Sequence, residues 1–478
     1  MPARALARPD NDNNNDHYRI DSMNERPVLF LLHALGGSAR AWDGVVAALG
    51  HGFESMAIDL PGFGDAPAGF DVSVAGMADH VIDIVRKRGA SRWLLVGHSM
   101  GGKVATVVAS RALAGEPGLF GLAGVVLLAA SPPSPEPMEE TRRQTMIDWA
   151  ADGPLDDAAA RAFVDANVGD ALSPADDRLA IHDLKRTSRE AWLAWLERGS
   201  REDWSAEIGR LDLPALIIVG GADGDLGEAG QRATTATVYP RAHLHVEAGA
   251  GHLLPLERTQ QVADAISDFW VQTAGIGPAI PEAFSRVIAS ARVSRRTRAA
   301  LAVRALADDA GYTPRALSSM QLQTLRSVAD RVVPQTDPAI DLAARLDAQL
   351  AAGKGDGWRF ADLPVDRDAY ARALNALMGF GDMDPHAQDA ALTRLAAGGF
   401  GAASDQRHDD ALSAEQMKHW FEDLRADLTR VWLAHPATMA RIGFDGFANG
   451  GDGPRKQGFE RLAAGERESW ELLVAVAR

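Results

Sequence analysis

Six short apolar runs alternate with helical patterns over the first half of the chain. The runs are rich in Val, Ile and Leu, are bounded by Gly, Pro or Asp, and read PVLFLLHA, FESMAIDL, WLLVGHS, GVVLLAAS, PALIIVGGAD and HLHVEAGAGH. Because their apolarity is continuous rather than alternating, both faces of each predicted strand are expected to be buried. The pattern therefore predicts a mostly parallel, doubly wound α/β sheet with helices on both faces.

The strand pattern stops between residues 131 and 205, where the sequence becomes helical. This stretch contains four tryptophans, which are Trp149, Trp192, Trp195 and Trp204. An insertion of this size after a strand, rich in large aromatic residues, predicts a lid over an apolar pocket. The alternative is that the tryptophans only pack the lid onto the core.

The second half of the chain lacks runs with strand character. After a helix that ends near Gln272, the sequence TAGIGPAIPEAF has the Gly and Pro content of a linker. From Ser318 onward the pattern is that of amphipathic helices, as in SSMQLQTLRSVADRVV and EQMKHWFEDLRADLTRVWLAH. We therefore predict an α/β domain over 26–273, a linker and basic helical segment over 274–316, and an all-α domain over 317–478.

The segment between the two predicted domains is strongly basic. Its stretch SRVIASARVSRRTRAALAVRALA carries six arginines and no acidic residue, with the arginines at Arg286, Arg292, Arg295, Arg296, Arg298 and Arg304. One interpretation is a solvated helix face, and the other is a docking strip for an acidic surface of a partner.

The composition excludes several classes of function. The formal net charge of −16 argues against a general nucleic-acid binder, since neutralising phosphates requires a basic face. The chain has 0 cysteines, which excludes disulfides, thiolate metal sites, iron–sulfur clusters and cysteine nucleophiles.

The sequence also bears on location. We expect no membrane span, since no apolar stretch is long enough to cross a bilayer. Residues 1–25 contain an Asn/Asp run and no apolar core, so they predict a disordered tail rather than a signal peptide. The expected location is the cytoplasm, with export together with a partner left open.

The candidate chemistry begins at the sequence VGHSMGGKVA. Its residues Gly97 to Gly101 fit the G-x-S-x-G pattern, directly after a predicted strand and before a predicted helix. The glycines permit the sharp turn that would raise Ser99 above the edge of the sheet. In this context Ser99 is predicted to be a catalytic nucleophile.

A serine nucleophile needs a base, a group that orients the base, and donors for the oxyanion. His252, in the glycine-flanked loop of EAGAGHLLPLE, is the candidate base. The orienting acid is Asp223, with Asp225 as the alternative, because LIIVGGADGDLG ends the preceding strand. The predicted oxyanion donors are the backbone N–H groups of Met100 and Leu35.

Residues from about 26 to 270 resemble α/β-hydrolase-fold serine esterases, through the motifs HALGGS, DLPGFGDAP, GHSMGG and GAGHLLPLE. The order Ser99, Asp223, His252 is the order of that family. Ala34 stands where the family usually has a glycine after the histidine. Within this family the G-x-S-x-G turn is the nucleophile elbow, and a serine there disfavours epoxide hydrolases and dehalogenases. Carboxylic esterases, lactonases, C–C hydrolases and peptidases remain, and small carboxylesterases are the most similar.

The helical part, from about Leu317 to Arg478, resembles the small subunit of gluconate 2-dehydrogenase (subunit 3 family). The resemblance rests on LRSVADRVVP, the paired aromatics Trp420 and Phe421, and the glycine-rich loop after His435. It implies a partner, a flavin-containing large subunit of the glucose–methanol–choline type. FAD is then expected in that partner, and this chain is expected to hold no cofactor and no metal.

Two functional hypotheses follow. In the first, the chain is an active hydrolase of small-molecule esters or lactones whose helical domain binds a flavin dehydrogenase. In the second, it is a non-hydrolytic accessory subunit of a flavin-dependent sugar or alcohol dehydrogenase, and the hydrolase fold is a scaffold. A free-standing hydrolase with an inert helical domain is a third possibility.

Overall fold

The computed structural model describes residues 26–67, 69–355, 357–400 and 411–453, together with positions 461, 463, 466 and 468. The predicted disordered tail over residues 1–25 lies outside the described residues.

The sheet of the first half has six strands, and every adjacent pair is parallel. Its order is β2-β1-β3-β4-β5-β6. The bounds are β1 Val28–Leu32, β2 Glu54–Ile58, β3 Trp93–His98, β4 Leu122–Leu128, β5 Ala215–Gly220 and β6 Ala242–Glu247. Each of the six predicted runs overlaps one of these strands, so the predicted fold class is confirmed. The four inner strands are buried along their whole length, as their continuous apolarity predicts.

Helices cover both faces of the sheet. In chain order they are α1 Asp43–Leu49, α2 Val74–Arg88, α3 Met100–Leu113, α4 Glu140–Asp148, α5 Asp157–Asn167, α6 Pro174–Arg186, α7 Arg189–Glu197, α8 Ser205–Ile208, α9 Glu228–Ala233, α10 Thr235–Val238, α11 Leu254–Glu257, α12 Thr259–Phe269, α13 Glu282–Ala289 and α14 Arg295–Ala305. Helices α2 and α3 share one apolar core with the sheet. Helices α1 and α12 share the core on the opposite face. The sheet is thus doubly wound.

The insertion between β4 and β5 forms the lid, which consists of helices α4 to α7. Trp192 and Trp195 are almost fully buried, whereas Trp149 and Trp204 are partly buried. The Trp192 indole donates a hydrogen bond to the carbonyl oxygen of Met146 at 2.8 Å. These tryptophans therefore pack the lid, as the alternative interpretation holds.

The second half is helical throughout its described residues. Its helices are α15 Ser319–Val332, α16 Leu342–Ala351, α17 Asp366–Ala376, α18 Pro385–Ala396, α19 Ala414–Leu433 and α20 Pro436–Arg441. Capping boxes begin two of them, with Ser318 and Gln321 at α15 and with Ser413 and Gln416 at α19. A separate apolar core surrounds the fully buried Trp420. The predicted all-α domain is therefore present.

The described chain divides into two compact units. The second unit is Ile276–Pro278 with Ala307–Phe444, and the first unit takes the rest, including Ala279–Leu306 and the residues from Asp445 on. This division differs from the predicted boundaries, which assigned 279–306 to a linker segment and 445–453 to the helical domain. The N–H groups of Gly450 and Gly451 donate to the carbonyl oxygen of Arg292, which ties the late segment to the first unit.

The basic segment is also part of the first unit. Arg298 is buried and donates to the carbonyl oxygens of Gly115 and Val293, at 2.7 and 2.6 Å. Arg295 Nε donates to the carbonyl oxygen of Ala114 at 3.1 Å. Arg298 is therefore neither on a solvated face nor available to a docking partner, because its guanidinium satisfies buried backbone carbonyls.

None of the helices within the described residues has the length and apolarity required to cross a membrane.

Candidate active site

The predicted nucleophile lies at a sharp turn between strand and helix. Strand β3 ends at His98, Ser99 has a φ of 51°, and α3 begins at Met100. A Cβ added to Gly97 would lie 2.5 Å from the carbonyl oxygen of Gly101, so a side chain there would clash with backbone. The glycines thus serve close backbone packing, and Ser99 occupies a positive-φ conformation that a non-glycine residue seldom adopts. The G-x-S-x-G segment has the geometry of a nucleophile elbow.

The predicted acid and base meet beyond the carboxyl ends of β5 and β6. The ring Nδ1 of His252 lies 2.7 Å from Oδ2 of Asp223. The His252 and Asp223 side chains are only 13% and 9% exposed, so the pair is shielded from water. With Nδ1–H donated to Asp223, the Nε2 atom of His252 is left as the proton acceptor.

His252 and Asp223 shift each other's pKa in opposite directions. Burial disfavours the charged imidazole, but the charge and hydrogen bond of Asp223 outweigh it, and the pKa of His252 is raised. Burial likewise acts to raise the pKa of Asp223, but the charge and hydrogen bond of His252 lower it overall. The alternative acid Asp225 is half exposed and lies 3.9 Å from Arg142 instead. The structure therefore brings Asp223 rather than Asp225 to His252.

The backbone of His252 is fixed from two sides. Its N–H donates to the carbonyl oxygen of Asn167 in the lid at 2.7 Å. Its carbonyl oxygen accepts from Nε2 of His98, also at 2.7 Å. Burial lowers the pKa of His98 to about 3, so His98 is a neutral donor that supports the base. Within the described part of the chain, no hydrogen bond joins Ser99 Oγ to the His252 ring.

The predicted oxyanion donors lie on the loop after β1 and at the start of α3. We call residues 33–39 the oxyanion loop. His33 fixes its start: its Nδ1–H donates to the carbonyl oxygen of Ala34 at 2.7 Å, and its Nε2 accepts from the Leu60 N–H at 3.0 Å. Burial lowers the pKa of His33, which keeps the ring neutral for this pair of contacts. Ala34 is buried, and Leu35, which follows it directly, is buried as well.

A small cavity lies beside these groups. Its volume is about 40 Å³, room for a few atoms rather than a whole substrate. The oxyanion loop, His98, two lid helices and the segment after His252 form its walls. The apolar side chains among them include Leu35, Phe163, Val164, Leu179, Leu184 and Leu253. None of the four lid tryptophans is among the lining residues, so they shape the pocket only indirectly.

A buried lysine that the sequence motifs did not point to holds the end of the lid. Lys103 Nζ donates to the carbonyl oxygens of Gly199 and Glu202 at 3.1 and 3.0 Å. The ammonium lies 5.7 Å from the centre of the Trp195 ring. In sequence Lys103 resembles an ordinary helix residue, because its partners are about a hundred positions away.

Comparison with known proteins identifies both parts of the chain. The model of the alpha/beta hydrolase family matches residues 29–265, which include the sheet, the lid, Ser99 and His252's loop. The model of gluconate 2-dehydrogenase subunit 3 matches residues 319–446. The chain therefore carries an α/β-hydrolase domain. A gluconate 2-dehydrogenase subunit 3 domain follows it.

Similar proteins cover about half of the chain. A bifunctional biotin biosynthesis protein of Cellvibrio japonicus is 26% identical over 249 residues, which are 51% of this chain and 48% of that protein. The chain thus spans about half the length of that relative. A 2-succinyl-6-hydroxy-2,4-cyclohexadiene-1-carboxylate synthase of Serratia proteamaculans is 26% identical over 52% of this chain and 94% of its own length. Among solved structures, an esterase from Thermogutta terrifontis matches with a TM-score of 0.43 at 23% identity, over 52% of this chain and 89% of its own.

Proposed function

We propose that the hydrolase domain cleaves carboxylic esters or lactones of small molecules through Ser99, His252 and Asp223. The observation that carries the proposal is the 2.7 Å contact of His252 with Asp223 at the carboxyl edge of the sheet, the edge at which Ser99 follows β3. Ligands of open α/β sheets bind at this edge. An oriented, buried base at the same sheet edge as the serine of a G-x-S-x-G turn supports acyl transfer as the reaction.

In the proposed reaction, Nε2 of His252 removes the proton from Ser99 Oγ as the oxygen attacks the carbonyl carbon of the ester. Asp223 holds the imidazole in the required tautomer and stabilises its positive charge. The N–H groups of Leu35 and Met100 stabilise the oxyanion. His252 then returns the proton to the leaving alcohol oxygen, and water attacks the acyl-enzyme in a second round that regenerates Ser99.

The pocket walls favour substrates with an apolar group next to the carbonyl. Burying each CH₂ of such a group would contribute about 0.8 kcal/mol. We therefore propose that one side of the ester or lactone is aliphatic or aromatic, and that the lid moves to admit it, since the cavity of about 40 Å³ is smaller than such a group.

For the second domain we propose a binding role. Support comes from its match to a dehydrogenase subunit over residues 319–446. The proposed partner is a flavin-containing dehydrogenase large subunit of the glucose–methanol–choline type, with FAD held by that partner and no cofactor or metal held by this chain. The described residues contain no cluster of three or more potential metal ligands.

The alternative is that the chain is a non-hydrolytic accessory subunit whose hydrolase fold is a scaffold. The observation that favours it is that Ser99 Oγ and the His252 ring share no hydrogen bond in the described chain. We favour the hydrolase because catalytic hydrogen bonds are often long in the ligand-free enzyme and tighten in the complex, whereas a scaffold has no use for a buried, oriented imidazole.

Steady-state hydrolysis of p-nitrophenyl esters tests the hydrolase proposal. We expect turnover of acetate to octanoate esters by the full chain, with kcat/KM rising as the acyl chain lengthens until the pocket is filled. Ser99→Ala should remove turnover, whereas Ser110→Ala, on the helix that follows the elbow, should retain it. Equal rates for the wild-type chain and Ser99→Ala would contradict the proposal and favour the scaffold.

Co-purification tests the binding proposal. The tagged full chain is co-expressed with a flavin-containing dehydrogenase large subunit of the glucose–methanol–choline type. We expect a complex with flavin absorbance that survives size-exclusion chromatography. Elution of the two proteins at their separate positions would contradict the proposal.

A further inference from the structure

We infer that Asp183 of the lid is a positioning residue for the oxyanion loop, so that closure of the lid completes the oxyanion hole. The inference rests on the proposed function, because it assigns Asp183 an effect on the Leu35 N–H during acyl transfer. The juxtaposition that carries it is a buried hydrogen bond between Asp183 and Ser38, two residues 145 positions apart in sequence.

The hydrogen bond between Ser38 and Asp183 is short and shielded from water. Ser38 Oγ donates to Oδ2 of Asp183 at 2.6 Å, and the two residues are 1% and 2% exposed. The same hydroxyl oxygen accepts the Arg40 N–H at 3.2 Å and so begins the helical turn that ends the loop. Ser38 lies three residues after Leu35. A hydrogen bond to a carboxylate in such a setting is stronger than one between neutral groups.

The other anchors of the oxyanion loop come from the sheet side. His33 fixes its start through the Leu60 N–H. Asp59, at the end of β2, accepts the Ala39 N–H at 2.7 Å. Asp183 differs from both because it belongs to helix α6 of the lid. The loop therefore takes its full set of contacts only when α6 lies on it.

The position of Asp183 is unfavourable apart from this contact. The residue lies in the last turn of α6, where exposed carbonyl groups make the helix end negative. Its other oxygen has the His182 ring as a neighbour at 3.4 Å. A buried carboxylate at a helix carboxyl end is destabilising unless a donor compensates it, and Ser38 supplies that donor.

Packing around the contact is equally close. A Cβ added to Gly36 would lie 2.4 Å from Cδ2 of Leu184, the neighbour of Asp183. Gly36, Asp183 and Leu184 all line the small cavity. Movement of α6 away from the loop opens the pocket and removes the Asp183 acceptor together. The same movement of α6 therefore admits substrate and breaks the Ser38–Asp183 hydrogen bond that holds the oxyanion loop.

The transition state demands more of the loop than substrate binding does. A misplacement of an oxyanion donor by a fraction of an ångström weakens its bond to the oxyanion, and loss of a whole donor costs about 10²- to 10³-fold in kcat. Disruption of the Ser38–Asp183 contact shifts a donor rather than deleting it. We therefore expect kcat to fall about 10- to 100-fold with KM within about twofold of wild type.

The experiment compares Ser38→Ala, Asp183→Ala and the double variant on a p-nitrophenyl ester that the wild-type chain hydrolyses. The double variant should lose no more kcat than either single variant, because both remove one contact. Asp183→Asn keeps an acceptor oxygen and should recover most of the activity. The matched control is Asp157→Asn, which removes a lid carboxylate that is 82% exposed and pairs with Lys185 at the surface. Additive losses, or an effect on KM alone, would overturn the inference.

Hydrogen exchange gives a readout that does not depend on turnover. Backbone amides of residues 34–39 should exchange faster in Ser38→Ala and in Asp183→Ala than in Asp157→Asn, and unchanged exchange would overturn the inference even if the variants are inactive. Absence of Ser99-dependent hydrolysis in the wild-type chain would instead contradict the proposed function. The two failures are therefore distinguishable.

Discussion

Replacement of Lys103 by methionine should change the pH dependence of stability in a predictable direction. The lysine side chain is fully buried, and burial is the largest influence on its charge. Burial lowers the pKa of Lys103 to about 8 from its ordinary 10.5. The charged groups around it are Glu136, Glu202, Asp203 and Arg143. The three acids favour the ammonium and Arg143 opposes it, but burial outweighs their sum.

The magnitude follows from the pKa difference. One pKa unit corresponds to about 1.4 kcal/mol, so keeping the ammonium charged in the folded chain costs about 3 kcal/mol. Below pH 8 the lysine is charged in both states and this cost is present in full. Between about pH 8 and 10.5 the unfolded chain binds the extra proton, so the stability contributed by Lys103 rises with pH.

The methionine variant lacks this dependence. At pH 7 the variant no longer bears the cost of about 3 kcal/mol for a buried ammonium. The substitution also removes the donor to the carbonyl groups of Gly199 and Glu202, which destabilises the fold by about 1 to 3 kcal/mol for each carbonyl. We therefore expect the two proteins to differ by less than about 3 kcal/mol at pH 7. The wild-type chain should gain up to about 3 kcal/mol relative to the variant by pH 10.

Urea denaturation at pH 7, 8, 9 and 10, followed by far-UV circular dichroism, measures the free energy of unfolding of wild type and Lys103→Met. The comparison uses the unfolding transition whose midpoint the substitution changes. Lys87→Met, which replaces an exposed lysine of α2, is the control and should show no such trend. A difference between wild type and Lys103→Met that stays constant from pH 7 to 10 would refute the reasoning.

Three further predictions concern the site and its support. Asp223→Asn should lower kcat by about 10⁴-fold and move the acid limb of kcat/KM to lower pH, because the buried histidine loses the charge that raises its pKa; a pH–rate profile measures both, and Asp225→Asn should match wild type. Gly36→Ala places a Cβ 2.4 Å from a lid leucine at a φ of 76° and should lower the melting temperature more than Gly69→Ala, where φ is 90° but the space is open. Arg298→Met leaves buried carbonyl groups unpaired and should destabilise the first unit by about 2 to 4 kcal/mol in urea denaturation.

Local sequence patterns were sufficient for the fold of the sheet and for the position of its reacting groups. The strands are continuous apolar runs, and the residues that follow β3, β5 and β6 come to one edge because parallel strands share their carboxyl ends. Asp223 and His252 therefore meet although they are 29 positions apart. The glycines around Ser99 can be recognised in the sequence because the backbone segments that they allow to approach closely are only a few residues apart.

The supports of the site depend on contacts that no local pattern contains. Ser38 and Asp183 are 145 positions apart, and Lys103 and Glu202 are 99 positions apart. Each is a common polar residue at an ordinary place in a helix or turn, and only the fold makes it buried. Arg298 departs from the surface position that a run of arginines predicts, and the reason is again a distant contact. One of its carbonyl partners, Gly115, lies just after the end of helix α3.

The central claim is that Ser99 is a nucleophile activated by His252, and covalent labelling tests it most directly. The folded full chain is incubated with a fluorophosphonate probe, and intact-mass and peptide-mass measurements locate the adduct. We predict one adduct per chain, on Ser99, absent from Ser99→Ala and much slower to form in the Asp223→Asn variant. No adduct on the folded wild-type chain, or an adduct that Ser99→Ala retains, would contradict the account.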